Sequence, residues 1–258
     1  MEYVNWDVQN NIGIITLDRP EKRNALNEQV VTELKHTFKL ASDSKDCKVV
    51  ILKSSGSAFC AGADLDYLQQ LQKNSFQENL EDSQHLMELF NMIYRHPKVI
   101  ITMVDGPAIA GGCGLATVAD FCFSSENASF GYTESRIGFV PAIVMVFLLR
   151  KIGEGKAKEI LLTGEVFNAQ RALDLGLINA VVDEQMLEQY TMDFAEKLIK
   201  KNSGQSLAMI KEMIANVPEK DLESALGYAA EMNATMRESE DCKKGISAFL
   251  NKTKITWN

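Results

Sequence analysis

The spacing of apolar positions changes in a regular order along this chain, and the changes outline its elements. Tyr3 to Asp7 and Gly13 to Leu17 read as two short strands joined by a turn through Gln9-Asn10-Asn11, a hairpin signal. After the polar break Arg19-Pro20-Glu21-Lys22-Arg23-Asn24, residues Val30, Val31, Leu34, Phe38 and Leu40-Ala41 recur at helical spacing. Asn27 stands where an N-cap belongs, so a helix of about 15 residues is predicted there. Val49-Val50-Ile51-Leu52 reads as a buried strand, followed by a glycine-containing loop, SSGSAFCAGADL, with Asp64 placed to cap the helix that begins next. A second apolar run, KVIITMV, ends in Asp105-Gly106 and leads to Gly111-Gly112-Cys113-Gly114 and a small-residue helix start. The chain thus twice predicts one device: a strand, a small-residue turn, then a helix N-terminus.

Between the two devices, Gln69 to Ser83 is polar with little apolar periodicity and reads as a mobile loop over a site in preference to a solvated helix extension. Leu86, Leu89, Phe90, Ile93 and Tyr94 mark an amphipathic helix that must stop near Pro97. Pro141 opens AIVMVFLLRKIG, which reads as a buried helix with Met145 and Phe147 in the core. Lys156 to Leu162, Ala169 to Leu175 and the strand-like Leu177 to Val182 follow, with Gly164 and Gly176 as stops. From Glu184 onward only helices are predicted, separated at Ser203-Gly204 and Val217-Pro218. That tail is rich in apolar residues, among them Leu207, Met209, Met213, Leu226, Met232 and Met236, and is expected to dock on another subunit or back on the core.

Composition narrows the classes. A chain of 258 residues with 46% hydrophobic and 24% charged residues can bury a sizeable core in one large domain or one domain with an appendage. A formal net charge of -8 argues against broad nucleic-acid or anionic-membrane binding. The five cysteines show no paired metal-ligand spacing, and they are read as reduced, packed thiols. There is no basic-then-apolar leader and no apolar run reaches the roughly 18 residues of a membrane span, so a cytoplasmic protein is expected. His36, His85 and His96 lie away from the glycine turns and are read as surface or core residues; no metal site is expected.

The candidate chemistry lies in the stretch from Val104 to Glu134. Glycines strip away side chains, so a ligand can approach the backbone, and the first N–H groups of a helix have no intrahelical partner. Such a corner can hold an anion or a developing oxyanion, and two such turns side by side can each offer one N–H to the same oxygen. Glu134, in an aromatic and small-residue setting, is a candidate proton-transfer carboxylate.

The segments DRPEKRNALN, SAFCAGADL, DGPAIAGGCGLATVAD, FGYTESRIGFVP and TGEVFNAQRALDLGLIN, in this order, together resemble the crotonase (enoyl-CoA hydratase/isomerase) superfamily. The terminal KKGISAFLNK is similar to the family's last helix. The resemblance implies an α/β crotonase (ClpP-like) fold: a spiral core of repeated ββα turns over residues 1–195 and a helical C-terminal oligomerisation region over 196–258. It also implies a homotrimer or a hexamer of paired trimers, and an acyl-CoA thioester substrate with no separate cofactor. By motif position the thioester oxygen would be held by the N–H groups of Ala63 and Gly111. Ala63, Asp64, Leu65 and Asp66 would line the CoA thiol arm, Lys22, Ala25 and Leu26 would lie near its nucleotide, and Ala61 and Gly62 are further substrate-binding candidates. Gly112 and Pro141 are also substrate-binding candidates, and Phe249 and Lys252 would reach a neighbouring subunit's CoA.

One position departs from the family's two-glutamate pattern: Gly114 stands where the first glutamate is usual, while the second aligns with Glu134. Glu134 alone can activate water at C3 and then protonate C2, or shuttle one proton in a double-bond isomerisation. The run TESRIGFVPAIVMVFLLRKIG is similar to bacterial 3-methylglutaconyl-CoA hydratases of leucine breakdown, with Arg136 and Lys73 as candidate cations for a distal carboxylate. The leading expectation is therefore an enoyl-CoA hydratase. An enoyl-CoA isomerase and a non-catalytic acyl-CoA-binding protein are the alternatives.

Overall fold

The computed structural model describes residues 1–257. Strands β1 (Val4–Gln9) and β2 (Ile12–Leu17) form an antiparallel hairpin whose two turn residues, Asn10 and Asn11, both adopt left-handed backbone. That geometry matches the twist of paired strands, and asparagine tolerates it better than most residues. A 3-10 turn over Pro20–Lys22 leads to α1 (Glu28–Asp43), where the Asn27 side chain accepts from Val30 N–H. Then follow β3 (Val49–Ser54), α2 (Leu65–Leu71), α3 (Phe76–Tyr94), β4 (Val99–Val104), β5 (Pro107–Ile109) and α4 (Gly111–Thr117). Next come β6 (Phe121–Ser125), β7 (Ser129–Gly131), α5 (Ala142–Thr163), β8 (Val166–Asn168), α6 (Ala169–Leu175) and β9 (Ala180–Val182). The chain closes with α7 (Leu187–Lys201), α8 (Gly204–Asn216), α9 (Leu222–Glu238) and α10 (Glu240–Leu250).

Six strands make the main sheet in the order β1-β2-β3-β4-β6-β9, parallel except for β1, and β5-β7-β8 form a small second sheet. Side chains alternate across the main sheet. Val50 and Leu52 join the larger core with α1, α3 and α4, while Val49 and Ile51 join a second core closed by Leu187 and Ala195 of α7.

Three expectations change. The polar stretch from 69 to 83 is mostly helical: only Gln72 to Ser75 break it, and α3 starts at Phe76. A capping box explains this, with Ser75 and Glu78 each satisfying the other's backbone N–H, so the helix needs no apolar stripe until Leu89, Phe90 and Ile93 bury it. The segment after Pro141 is a helix but lies at the surface, burying Val144 and Leu148 one turn apart. Met145, expected in the core, is 38% exposed, while Phe147 packs partly buried on Phe90 and Tyr94. The break between this segment and the next falls at Gly153, in left-handed backbone inside α5. The tail divides: α7 and Leu207 of α8 pack back on the second core, whereas neither α9 nor α10 buries a residue. No helix is long and apolar enough to cross a membrane.

Candidate active site

Two strand–turn–helix units, β3 into α2 and β4–β5 into α4, are drawn together by backbone pairing between their loops. Cys60 pairs with Ala108, with Ile109 N–H donating to the Cys60 carbonyl at 3.0 Å. Leu26 pairs with Ala63: Leu26 N–H donates to the Gly62 carbonyl at 2.7 Å, and Asp64 N–H to the Leu26 carbonyl at 2.8 Å. The Gly62 carbonyl and the Ala63 N–H belong to one planar trans peptide and point in opposite directions. With the carbonyl fixed toward Leu26, the Ala63 N–H faces away from the pair, at an exposed position.

The second donor is set by an unusual residue. Ala110 has φ 51° and ψ -126°, a conformation that costs about 1–3 kcal/mol in a residue with a side chain. Its N–H is anchored on the Gly131 carbonyl at 2.7 Å, and its own carbonyl receives Gly114 N–H at 3.1 Å. Gly111 is the first residue of α4, so its N–H has no intrahelical acceptor and points out of the helix end. The two donors are neighbours. Gly62 takes φ 91°, and a β-carbon built on it would lie 2.9 Å from the Ile109 carbonyl oxygen and 3.7 Å from the Gly111 nitrogen.

Glu134 arrives from the same side. Strands β5 and β7 are parallel with Ile109 opposite Gly131, so Gly111 and Glu134 leave the small sheet at one end. Glu134 begins a 3-10 turn and is only 8% exposed, and its Oε2 has no hydrogen-bond partner among the described residues. Burial raises its carboxyl above the ordinary range. Two residues earlier, just past β7, the Tyr132 hydroxyl bonds Thr117 Oγ1 at 2.9 Å, and Thr117 donates to the Cys113 carbonyl, a buried polar chain that ties the segment after β7 to α4.

Gly114 is not lined up as a second catalytic position. A β-carbon there would stand 2.2 Å from Val144 Cγ1 and 3.2 Å from Phe90 Cε1, so α5 and α3 fill the space a longer side chain would need. Among the described residues no group of three His, Cys, Asp or Glu side chains is gathered for a metal ion.

The other sequence-derived candidates fall into distinct settings. Ala61 and Gly62 line the turn itself, and Gly112 is buried against the Cys60 backbone, where its role is close approach. Ala25 and Leu26 are buried beneath the loops, though Leu26 lies under Gly111. Leu65 and Asp66 are exposed at the start of α2, and Asp66 pairs with Lys22 at 2.7 Å. Pro141 is half-buried at the head of α5, and Arg136 follows Glu134 by two residues, exposed, with its stem against Gly164. Phe249 and Lys252 are exposed at the end of α10, which packs on α9 within its own chain. Asp64 cannot line a ligand arm with its carboxylate, because that group is buried and bonded to Arg19. Burial acts to raise its carboxyl, but hydrogen bonds from Arg19 and Asp66 N–H outweigh this and hold it below the usual range.

Sequence reasoning missed Arg19 and Asn24. Asn24, in left-handed backbone, accepts from Arg19 N–H and donates to the carbonyls of Ser55 and Ala58, stitching the two loops together. The only advance signal was an asparagine in a polar break, which marks a turn but not its partner.

The arrangement brings two turns with backbone N–H groups and one buried carboxyl to the same end of the small sheet. Comparison with known proteins identifies the family. The family model described as enoyl-CoA hydratase/isomerase matches residues 7–258. Crotonyl-CoA hydratase of Syntrophomonas wolfei is 31% identical over 259 residues, covering 99% of this chain and 98% of that one. The 2,3-dehydroadipyl-CoA hydratase of Escherichia coli is 29% identical over 245 residues, covering 95% and 94%. The crystal structure of an enoyl-CoA hydratase from Shewanella pealeana superposes with a TM-score of 0.94 at 31% identity, covering 99% of this chain and 96% of that one. The fold is the crotonase fold, and this chain belongs to the enoyl-CoA hydratase/isomerase family of enzymes.

Proposed function

We propose that this chain hydrates the 2,3 double bond of an enoyl-CoA thioester. The thioester oxygen accepts from the N–H groups of Ala63 and Gly111, which stabilise the negative charge as it develops on that oxygen. Glu134, as carboxylate, takes a proton from water while the water oxygen bonds C3 and the π electrons move to the thioester oxygen. The resulting carboxylic acid then returns the proton to C2 as the enolate collapses, so H and OH are added and the enzyme is restored. The observation that carries this reading is the abutment of the two donor loops with a buried, half-unpartnered carboxyl leaving the sheet at the same end.

The acyl group we favour is a branched diacid of the 3-methylglutaconyl type. The likeness of the segment after Glu134 supports it, as does Arg136, an exposed cation two residues on that pairs with no acid among the described residues. A second reading, double-bond isomerisation, is favoured by the packing of Val144 at Gly114, which leaves Glu134 as the single carboxylate. For assembly we favour a trimer or hexamer through residues 196–258. The apolar Ile210, Ile214, Leu222, Leu226 and Ile246 of α8 to α10 are exposed and would be covered by neighbouring copies.

The test is a product assay with 3-methylglutaconyl-CoA, crotonyl-CoA and a 3-enoyl-CoA, for the native protein and Glu134→Gln. Hydration shows as a mass gain of one water that the variant loses. A double-bond shift without mass change establishes isomerisation instead, and binding without turnover of any substrate removes both.

A further inference from the structure

A buried ion pair holds one of the two oxyanion donors. Arg19, on the loop after β2, is 9% exposed although it belongs to a polar stretch. Its Nη1 lies 2.7 Å from Asp64 Oδ2 and donates to the Ala25 carbonyl at 3.3 Å, while the guanidinium sits over the Tyr3 ring at 5.0 Å. These two contacts straddle the Leu26–Ala63 backbone pair: Ala25 precedes Leu26 on one strand, and Asp64 follows Ala63 on the other. Asp64 is fixed further by Asp66 N–H, which it caps at 2.9 Å. The direction of the Ala63 N–H depends on the Gly62 carbonyl staying on Leu26, and Arg19 holds the residues that flank that contact, Ala25 on one segment and Asp64 on the other.

Resting on the oxyanion reading above, we infer that Arg19 and Asp64 are positioning residues that aim the Ala63 N–H at the thioester oxygen. Neither touches substrate in this role. A buried pair of charges is a poor way to gain stability, since apolar residues of similar volume do as well or better. Its use is directional: one guanidinium nitrogen, Nη1, reaches the Ala25 carbonyl before the bridge on one segment and the Asp64 carboxylate after it on the other, which fixes the short bridge between them. A misplacement of a donor by about 1 Å is enough to slow a reaction by about 100-fold.

The experiment pairs kinetics with a direct view of the carbonyl. Arg19→Met, Arg19→Lys, Asp64→Asn and the double variant Arg19→Met/Asp64→Asn are compared for crotonyl-CoA and 3-methylglutaconyl-CoA turnover. In parallel, the carbonyl stretch of bound 13C-labelled butyryl-CoA, which has no double bond to hydrate, is followed by difference infrared spectroscopy. The native protein should lower that frequency, and Arg19→Met should lose most of the shift. Its kcat should fall about 10- to 100-fold with KM changing less than about threefold, as expected for an interaction realised in the transition state. Asp64→Asn should fall in the same direction, the double variant should be no worse than the poorer single one, and Arg19→Lys should recover part of the loss. Arg19→Met or Asp64→Asn with native kcat and the full carbonyl shift overturns the inference; should Arg19→Met fail to fold, the near-isosteric Asp64→Asn decides alone. If the native protein binds butyryl-CoA without any shift, it is the oxyanion reading that fails, and the inference goes with it.

Discussion

The α-carbon of Gly112 faces the carbonyl oxygen of Cys60 so closely that a β-carbon built on it would stand 2.2 Å away. No larger residue fits between these two loops, and both donor-bearing turns depend on that contact. Gly112→Ala should therefore push α4 off the first loop. The expected result is a stability loss of about 1–3 kcal/mol by chemical denaturation, together with a drop in turnover larger than the stability loss explains.

Glu134→Gln should separate chemistry from stability. Turnover should fall by about 100- to 10,000-fold while acyl-CoA still binds. Burial raises the folded-state value of this carboxyl above its ordinary 4.5, so its contribution to stability is intact below that value and is lost as the pH rises through the folded value. Glutamine carries no such penalty. The variant should thus melt higher than the native protein at neutral pH, and the gap should close as the pH is taken below the ordinary value of 4.5. The native enzyme, using the carboxylate as base, should lose activity on acidification at a pH above 4.5.

At Gly114 the packing is apolar and local. Gly114→Ala should destabilise by about 1–3 kcal/mol through its collision with Val144, and Val144→Ala in the same chain should recover part of that loss. A double-mutant cycle in denaturant measures the coupling, which should be clearly non-additive.

The buried thiols should be inert. Burial pushes Cys60 and Cys113 up to about 12 and Cys122 to about 11, so none forms a reactive thiolate near neutral pH. In a titration with a chromogenic disulfide, the native protein should react first at the half-buried Cys242, and all five cysteines should react only in denaturant.

Leu222 is 78% exposed and Leu226 is exposed beside it on α9. If this face carries the proposed assembly, Leu222→Asp with Leu226→Asp should lower the solution mass measured by light scattering toward the 28.7 kDa of a single chain. An unchanged mass would move the interface elsewhere.

The turns that carry the candidate site were legible in the sequence, because their parts are signals that sequence carries well. Three glycines in four residues at 111–114 and a strand ahead of each turn mark the two loops, and Glu134 stands out by its aromatic, small-residue setting. The long-range contacts were not legible. Nothing local distinguishes the buried Arg19 from its exposed neighbours Lys22 and Arg23, since its burial is decided by Asp64, 45 residues away. The same holds for Gly114, whose surroundings come from Val144 on another helix. Helix α3 shows the opposite limit: its polar first half lacked periodicity, and the capping box at Ser75 and Glu78 outweighed composition.

The pairing of Leu26 with Ala63, of Cys60 with Ala108 and of β5 with β7 joins segments that are far apart along the chain. No donor of the site is aimed by its own segment alone. Such non-local contacts form late, after the entropy of closing long loops has been met. On the proposed function, a nascent or partly folded chain would have no assembled pair of donors to turn on thioesters, and turnover would arise only with the completed sheet. Turnover is for that reason a stricter reporter of native structure in this protein than helix content, which its locally capped helices can regain on their own.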